Sequence, residues 1–468
     1  MDALYRWLVP RLIFPLYDAL SGRRLWTEVR RLREAQWQAP ADLEARAARK
    51  LRHLLGHAAA QVPYYRDLFA RAQIDPTGIR TLADLARVPI TTKSDLRAHF
   101  PGRTTAANLP ARRRQPMTTS GSTGLPFAFY ADTAAADVWL ASYLFFREWA
   151  GAPLWETRVH IAAPPHFYER GPLQASRGRV SESPLLRRLL LGERVVWLSG
   201  PDLTLEAFLA CLRALGRRHR YFLFAFPSHA AELATHLLAS GRELPVCPTV
   251  VIAYAEDLTP ARAAQIQRAF RCPVVNHYSS LEVLHMAQSC PENPPLFHVN
   301  SERVILRIVR ADGTPASPGQ RGRVVVTDLA NSVMPFINYD QGDWAVAGPP
   351  CPCGRGFPTL ARLEGREDEA IRTLGGKTMT AVSLERFLLR VWGVIPYVAE
   401  YQAVQAAPGA VLLQIVPTLD FNQAVSRRLA ADLAEWLGPG MTVTVEPVAR
   451  IDPEPSGKRL TIKASLPS

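Results

Sequence analysis

The chain has 468 residues, 48% of them hydrophobic, and 55 Lys and Arg against 42 Asp and Glu give a formal net charge of +13. That apolar content excludes a disordered chain, and the length accommodates two or three domains. The positive balance suits anionic partners such as phosphorylated cofactors, acidic lipid surfaces or acidic proteins. Arg112, Arg113 and Arg114 make only a short basic run, with no nucleic-acid-reading signature around it, so nucleic acid is not expected as a partner.

The N-terminal stretch MDALYRWLVPRLIFPLYDAL is apolar but broken by Arg6, Pro10, Arg11 and Pro15. No apolar run reaches the roughly 18 residues of a membrane span. No small-residue cleavage site follows, so a signal peptide is not read here. Two readings stay open for this stretch: helices packed on the body, or a patch making peripheral contact with a membrane. A cytoplasmic location is expected, where thiols stay reduced, so the six cysteines are not read as disulfides.

Residues 1–110 read as mainly helical. In LEARAARKLRHLLGHAAAQV, Leu51, Leu54, Leu55 and Ala58 fall on one helical face. TTSGSTGLPF (Thr118 to Phe127) follows. It lacks the lysine of the Walker phosphate loop and fails the Gly-x-Gly-x-x-Gly pattern. Its glycines and hydroxyls suit a phosphate cradle, and equally an ordinary surface loop.

From 130 to 330, strand and helix patterns alternate. TVVIAYAE is a buried strand, Thr259 and Pro260 start a helix, and CPVVNHY is the next strand. Strand, helix, strand implies a parallel pair with a right-handed crossover. Glu256 and the Tyr278–Glu282 segment then sit at strand carboxyl ends, where open α/β sheets place their ligands. RVILRIV and GRVVVTDL read as an antiparallel hairpin. After about 364, AVLLQIV and MTVTVEPV flank a helix in NQAVSRRLAADLAEWL, which suggests a compact α+β unit.

The expected fold is therefore α/β. A large domain, residues 1–364, has a helical N-terminal segment, a parallel α/β sheet and a small antiparallel β subdomain. A small α+β domain covers 365–468. Cys351 and Cys353 in CPCGR, with Cys290 and His298, suit tetrahedral Zn²⁺ as a structural site. His285 is an alternative ligand, and a metal-free set of thiols is the other reading. Cys211, Cys247 and Cys272 lie in apolar contexts and are read as core.

Four segments share an order with the Gly/Ser/Thr loop: NHYSSLE (Asn276 to Glu282), NYDQGD (Asn338 to Asp343), LEGREDEAI (Leu363 to Ile371) and PSGKRL (Pro455 to Leu460). Together the five resemble the motifs of the acyl-adenylate-forming enzymes. The nearest likeness is to the phenylacetate–CoA ligase branch, which includes capsular-polysaccharide-associated relatives.

The resemblance implies ATP-dependent activation of a carboxylic acid as an acyl-adenylate, then transfer to a thiol, of CoA or of a carrier protein's phosphopantetheine. Thr119, Ser120, Gly121, Ser122, Thr123 and Gly124 would wrap the β- and γ-phosphates, and Glu282 would hold Mg²⁺. Tyr278 would stack on adenine, Asp343 would accept the ribose hydroxyls, and Glu256 would lie near the nucleotide. Arg366 would reach ribose and phosphate, Asp368 would mark the hinge of a mobile C-terminal domain, and Lys458 would be the adenylation lysine. Gly375 and Gly376 would meet the acceptor. His277 would line the acyl or adenine pocket, or simply pack. FLFAFPSHAAELA resembles the family's acyl-pocket segment, with Phe226, Pro227 and Ser228 nearest, and its aromatic residues, with Trp139 and Tyr143 upstream, suit an aryl or arylacetic acid and equally a simple packed core.

The chain departs from the family at Phe127, where a lysine is common, and at Ser279 and Leu281, where Gly and Thr or Ser are usual. Other functions in view are an adenylyltransferase that leaves AMP on its substrate, an amide-forming ligase, and a non-catalytic nucleotide-binding pathway protein. An acidic acyl carrier protein is a further candidate partner.

Overall fold

The computed structural model of the chain describes residues 7–119, 127–154, 156–162, 195–199, 203–216, 220–366, 370–376, 378–379, 381–388, 398–418, 421–452, 454 and 459–464. The helices are α1 (Phe14–Ser21), α2 (Leu25–Ala35), α3 (Pro40–Gln61), α4 (Pro63–Arg71), α5 (Lys93–His99) and α6 (Ala136–Trp149). They continue with α7 (Leu205–Leu215), α8 (Pro227–Ser240), α9 (Pro260–Phe270), α10 (Ala381–Arg386) and α11 (Gln423–Leu437). Leu51, Leu54, Leu55 and Ala58 of α3 are all buried, as the amphipathic pattern requires.

Strands β1 (Arg114–Thr118) and β2 (Ala128–Asp132) form an antiparallel hairpin. The parallel strands are β3 (Thr157–Ala162), β4 (Val195–Ser199), β5 (Tyr221–Ala225), β6 (Val251–Tyr254) and β7 (Val274–Tyr278). Strand β5 shows the two-faced logic of a covered parallel sheet, because all five of its residues are buried. Phe222 and Phe224 pack toward α6 and the N-terminal helices, while Tyr221, Leu223 and Ala225 pack toward α7, α8 and α9. Thr259 caps α9 by accepting from the Arg262 N–H, with Pro260 in the first turn, so the expected β6–α9–β7 unit forms.

The antiparallel strands are β8 (Ala287–Ser289), β9 (Phe297–Val299), β10 (Val304–Val309), β11 (Arg321–Asp328), β12 (Tyr339–Ala347) and β13 (Thr359–Arg366). They were expected as a small subdomain. Instead they are hydrogen-bonded through β8 and β9 to β7, so one sheet runs β10-β11-β12-β13-β9-β8-β7-β6-β5-β3-β4. β8 and β9 have three residues each, too short for any periodicity to announce them.

Beyond β13, β14 (Ile371–Arg372) pairs with β15 (Thr378–Met379). Strands β16 (Val398–Ala407), β17 (Ala410–Pro417), β18 (Thr442–Pro447) and β19 (Ile462–Ala464) form a sheet ordered β18-β17-β16-β19, covered by α11. Residues from Ile371 to Ile462 pack a hydrophobic core of their own. The N-terminal segment turns Val9 and Phe14 inward, while Trp7, Leu12, Leu16 and Leu20 face solvent. No helix among the described residues is long and apolar enough to cross a membrane.

Candidate active site

The site gathers at the carboxyl ends of β6 and β7 and the adjoining end of β12–β13. Tyr278, the last residue of β7, donates its hydroxyl to Asp343 Oδ2 at 2.6 Å. Arg366 Nε lies 3.3 Å from Asp343 Oδ1. The second contact follows from register, since Asp343 and Arg366 are direct partners across β12–β13. Burial first, and then the Asp343 carboxylate, push the Tyr278 phenol well above its usual pKa, so it stays a donor. Gly365 sits at φ 77, and a Cβ there would lie 2.8 Å from Asp257 Oδ2. Only glycine lets β13 pass this close to the residue following Glu256. Asp340, the other acid of NYDQGD, is engaged by Arg323 at 2.7 Å and by the Gly342 N–H at 2.9 Å.

Glu282 is buried, with Oε1 3.1 Å from Lys93 Nζ and 3.4 Å from the Tyr339 hydroxyl. Sequence reasoning missed both partners. Lys93 opens α5, whose capping box pairs Thr92 with Asp95. That signal announces a helix start, not a site. Lys93 Nζ also lies 5.6 Å from the Phe127 ring centroid, so a cation borders the position where the family pattern has lysine.

The loop whose stem this is closes the β1–β2 hairpin. Thr119 N–H donates to the Phe127 carbonyl at 3.0 Å, and Phe127 N–H donates to Thr119 Oγ1 at 3.3 Å. Phe127 and Phe129 pack on Phe336, which packs on Tyr339, so the stem is anchored on the wall that holds Glu282. Ser120, Gly121, Ser122, Thr123 and Gly124 lie outside the described residues, as do Asp368 and Lys458. Gly375 and Gly376 are exposed in the turn between β14 and β15.

Glu256 was expected beside the nucleotide. Its carboxylate accepts from Ser228 N–H at 2.9 Å, Ser228 Oγ at 3.1 Å and Arg459 N–H at 2.8 Å. It thus caps α8 and ties down the chain neighbour of Lys458. Burial raises its pKa against the lowering effect of these donors. Arg459 Nη1 further meets Glu232 on α8 and Glu400 on β16, both at 3.0 Å. Of the departures from the family pattern, Leu281 packs against the core, and beside it Ser280 Oγ accepts from Val283 N–H at 3.0 Å.

The four expected metal ligands come together. Ligand atoms of Cys290, His298, Cys351 and Cys353 all lie within 4.8 Å of one another. Cys351 Sγ is 3.9 Å from Cys290 Sγ, and Cys353 Sγ is 3.3 Å from His298 Nε2. A tetrahedron with Zn–S bonds of about 2.3 Å has edges near 3.8 Å, so the set fits one closed site. Burial pushes His298 down to about 4, which leaves the neutral, ligating imidazole. His285 is not part of the cluster, being bonded to His277. Gly356 brings the loop that carries Cys351 and Cys353 against the segment after α2, where a Cβ would lie 1.9 Å from the Gln38 carbonyl oxygen.

No protein-family model matches the chain. Among curated proteins it is 26% identical over 378 residues to the phenylacetate–coenzyme A ligase of Thermus thermophilus, covering 78% of this chain and 79% of that one. It is 21% identical over 454 residues to protein CapK of Staphylococcus aureus, covering 93% and 91%. Among solved structures, 2-hydroxyisobutyryl-CoA ligase in its postadenylation state matches with a TM-score of 0.72 at 18% identity, over 92% of this chain and 91% of that one. The same ligase in its thioesterification state matches with 0.60 at the same identity. Motif order, site geometry and these relatives agree: the chain is similar to the acyl-adenylate-forming enzymes, and within them to the phenylacetate–CoA ligase-like branch.

Proposed function

We propose that this protein activates a carboxylic acid with ATP, releasing pyrophosphate, and passes the acyl group from the adenylate to the thiol of CoA. The observation that carries the reading is the convergence of Tyr278, Asp343 and Arg366 on one point beside the ion pair of buried Glu282 and half-buried Lys93. Asp343 would accept the ribose hydroxyls, displacing the Tyr278 bond, and a carboxylate is suited to take two at once. Arg366 holds that carboxylate in place and brings a cation to the phosphates. Lys93 adds a second cation, between the Phe127 stem and Glu282, where polyphosphate charge would otherwise be unopposed.

Glu282 is a hard oxygen donor that would hold Mg²⁺, and the ion would supply charge neutralisation on the phosphates. Cys290, His298, Cys351 and Cys353 would hold Zn²⁺ as a structural ion with all four positions filled by protein. Lys458 would neutralise the acyl and phosphate oxygens as they approach. Its neighbour Arg459 is bonded to Glu256, which supports an arrangement suited to the first half-reaction, as does the better match to the postadenylation relative. Asp368, in the chain between β13 and the separate C-terminal core, would mark the hinge.

The test is pyrophosphate release from ATP and Mg²⁺ over a panel of aryl, arylacetic and aliphatic acids, with CoA consumption measured in parallel. Acid-dependent release that falls by about 100-fold or more in Lys458→Ala is expected. Release independent of any acid, or none at all, would overturn the reading.

A further inference from the structure

Beneath α6, at the carboxyl ends of β3, β5, β6 and β7, the structure packs an aromatic nest with polar groups set into it. Phe224 stacks on Tyr254 at 4.1 Å between ring centroids, and Tyr143 lies 6.1 Å from Phe224 and 5.5 Å from His285. His160 Nε2 is 2.5 Å from the Tyr254 hydroxyl, and Phe226 borders Tyr254 at 5.1 Å. A mostly aromatic pocket with a few fixed polar groups is how small-molecule sites achieve orientation.

We infer that the acid taken by this site carries a hydroxyl group, read by Nε2 of His285. The inference rests on the adenylation reading above and names the substrate class for it.

The argument is a chain of hydrogen-bond directions. Gln288 Nε2 donates to the Phe146 carbonyl at 2.8 Å, which turns its Oε1 toward His277 Nδ1 at 3.2 Å. An amide oxygen only accepts, so His277 carries its proton on Nδ1. His277 is buried and pushed down to about 4, hence neutral, and its Nε2 is therefore an acceptor. That nitrogen is 2.8 Å from His285 Nδ1, which must then be the donor. His285 is held neutral too, chiefly by burial, so its Nε2 is left as a bare lone pair. It meets no hydrogen-bond partner among the described residues. His285 also sits at φ 50, a left-handed conformation unusual for so large a side chain. Strain of this kind persists where a site requires it.

The neighbours select which donor fits. Arg158 donates to the Tyr143 hydroxyl at 2.8 Å, and its guanidinium lies 5.4 Å and 5.9 Å from the ring centroids of Tyr143 and Phe224. That positive charge disfavours an ammonium donor. A second carboxylate has no proton to give His285. A neutral hydroxyl satisfies both conditions.

The experiment compares pyrophosphate release from matched pairs: 4-hydroxyphenylacetate and phenylacetate, 4-hydroxybenzoate and benzoate, 2-hydroxyisobutyrate and isobutyrate. In the pair turned over best, the hydroxylated acid is expected to lead by about 100-fold in kcat/KM, because an acceptor left unpaired penalises the parent acid. His285→Leu should collapse that ratio to within about threefold, with KM for ATP changed less than about twofold. His285→Asn, which tolerates the left-handed backbone, should lower it about tenfold or more. Nitrogen-15 NMR of histidine-labelled protein should show His285 protonated at Nδ1 and bare at Nε2. Equal or better use of the parent acid in every pair, or a proton on His285 Nε2, would overturn the inference. Absence of pyrophosphate from every acid overturns the adenylation reading, and this inference with it.

Discussion

The two ends of a single hairpin, β12–β13, make an instructive contrast. At the open end, Asp343 and Arg366 face each other because strand register puts them there, and Tyr278 reaches in from β7. At the closed end, Cys351 and Cys353 sit in the connecting loop opposite Cys290 and His298, which lie just after β8 and in β9. The first cluster is positioned by backbone hydrogen bonds that exist without it. The second brings a loop against two three-residue strands that pair only briefly with their neighbours. Removing a side chain should therefore damage chemistry at one end and stability at the other.

The largest expected effect is at the closed end. Purified protein should contain about one equivalent of zinc, and Cys351→Ser should abolish it. Loss of a closed structural site should lower unfolding free energy by on the order of 5 kcal/mol, read as a fall of several degrees in Tm. Below the melting range, kcat should stay within about threefold of wild type. A Tm unchanged by chelation would erase the contrast.

Acid tests a third region of the molecule. His277 under α6 and His229 on α8 are both buried, and burial pushes each to about 4. Their folded-state values lie below the unfolded value of about 6.5, so the unfolded chain binds more protons between those limits. Their neutral forms contribute full stability above about pH 6.5, and that contribution is lost as pH falls toward 4. The arithmetic gives about 3 kcal/mol for each histidine. Urea midpoints measured from pH 7.5 to 4.5 should fall steeply below 6.5. His229→Gln should flatten the slope, and a profile that stays level would refute the assignment.

At the open end, Asp343→Asn should lower kcat/KM for ATP by about 100-fold, equivalent to about 2.7 kcal/mol, by removing the charge that Arg366 orients. Tm should move by no more than a few degrees, since register survives the change. A large loss of stability with intact ATP use would invert the comparison.

How much of this could be read beforehand divides along the same physical lines. The β6–α9–β7 unit was legible because Thr259 and Pro260 mark a helix start between two apolar runs. The clustering of Cys290, His298, Cys351 and Cys353 at the closed end was legible because thiols and imidazoles are rare enough for their spacing to carry information. Lys93 was not, because a lysine after a helix-capping threonine is ordinary until folding sets it against Glu282. Glu256 was placed at the correct strand end, but its partners were not legible, since only the folded chain brings Ser228 and Arg459 to it. The His277–His285 relay depends on which atom each donor faces, and nothing one-dimensional encodes that.

The smallest expected effect tests whether the C-terminal sheet adds to the open end by position or by charge. Arg459 joins Glu232 of α8 to Glu400 of β16, and its N–H reaches Glu256. Arg459→Ala removes the side-chain ties and keeps the backbone one. Each tie is partly exposed, so the loss should be about 1 kcal/mol, or roughly fivefold. It should fall on pyrophosphate formation, the step in which the proposed function places Lys458 at the phosphates. Thioester formation from a presynthesised acyl-adenylate should be unchanged or faster, because the ties hold the arrangement that the second step must leave. Equal loss in both half-reactions would mean that Arg459 supports the fold and does not choose between its states.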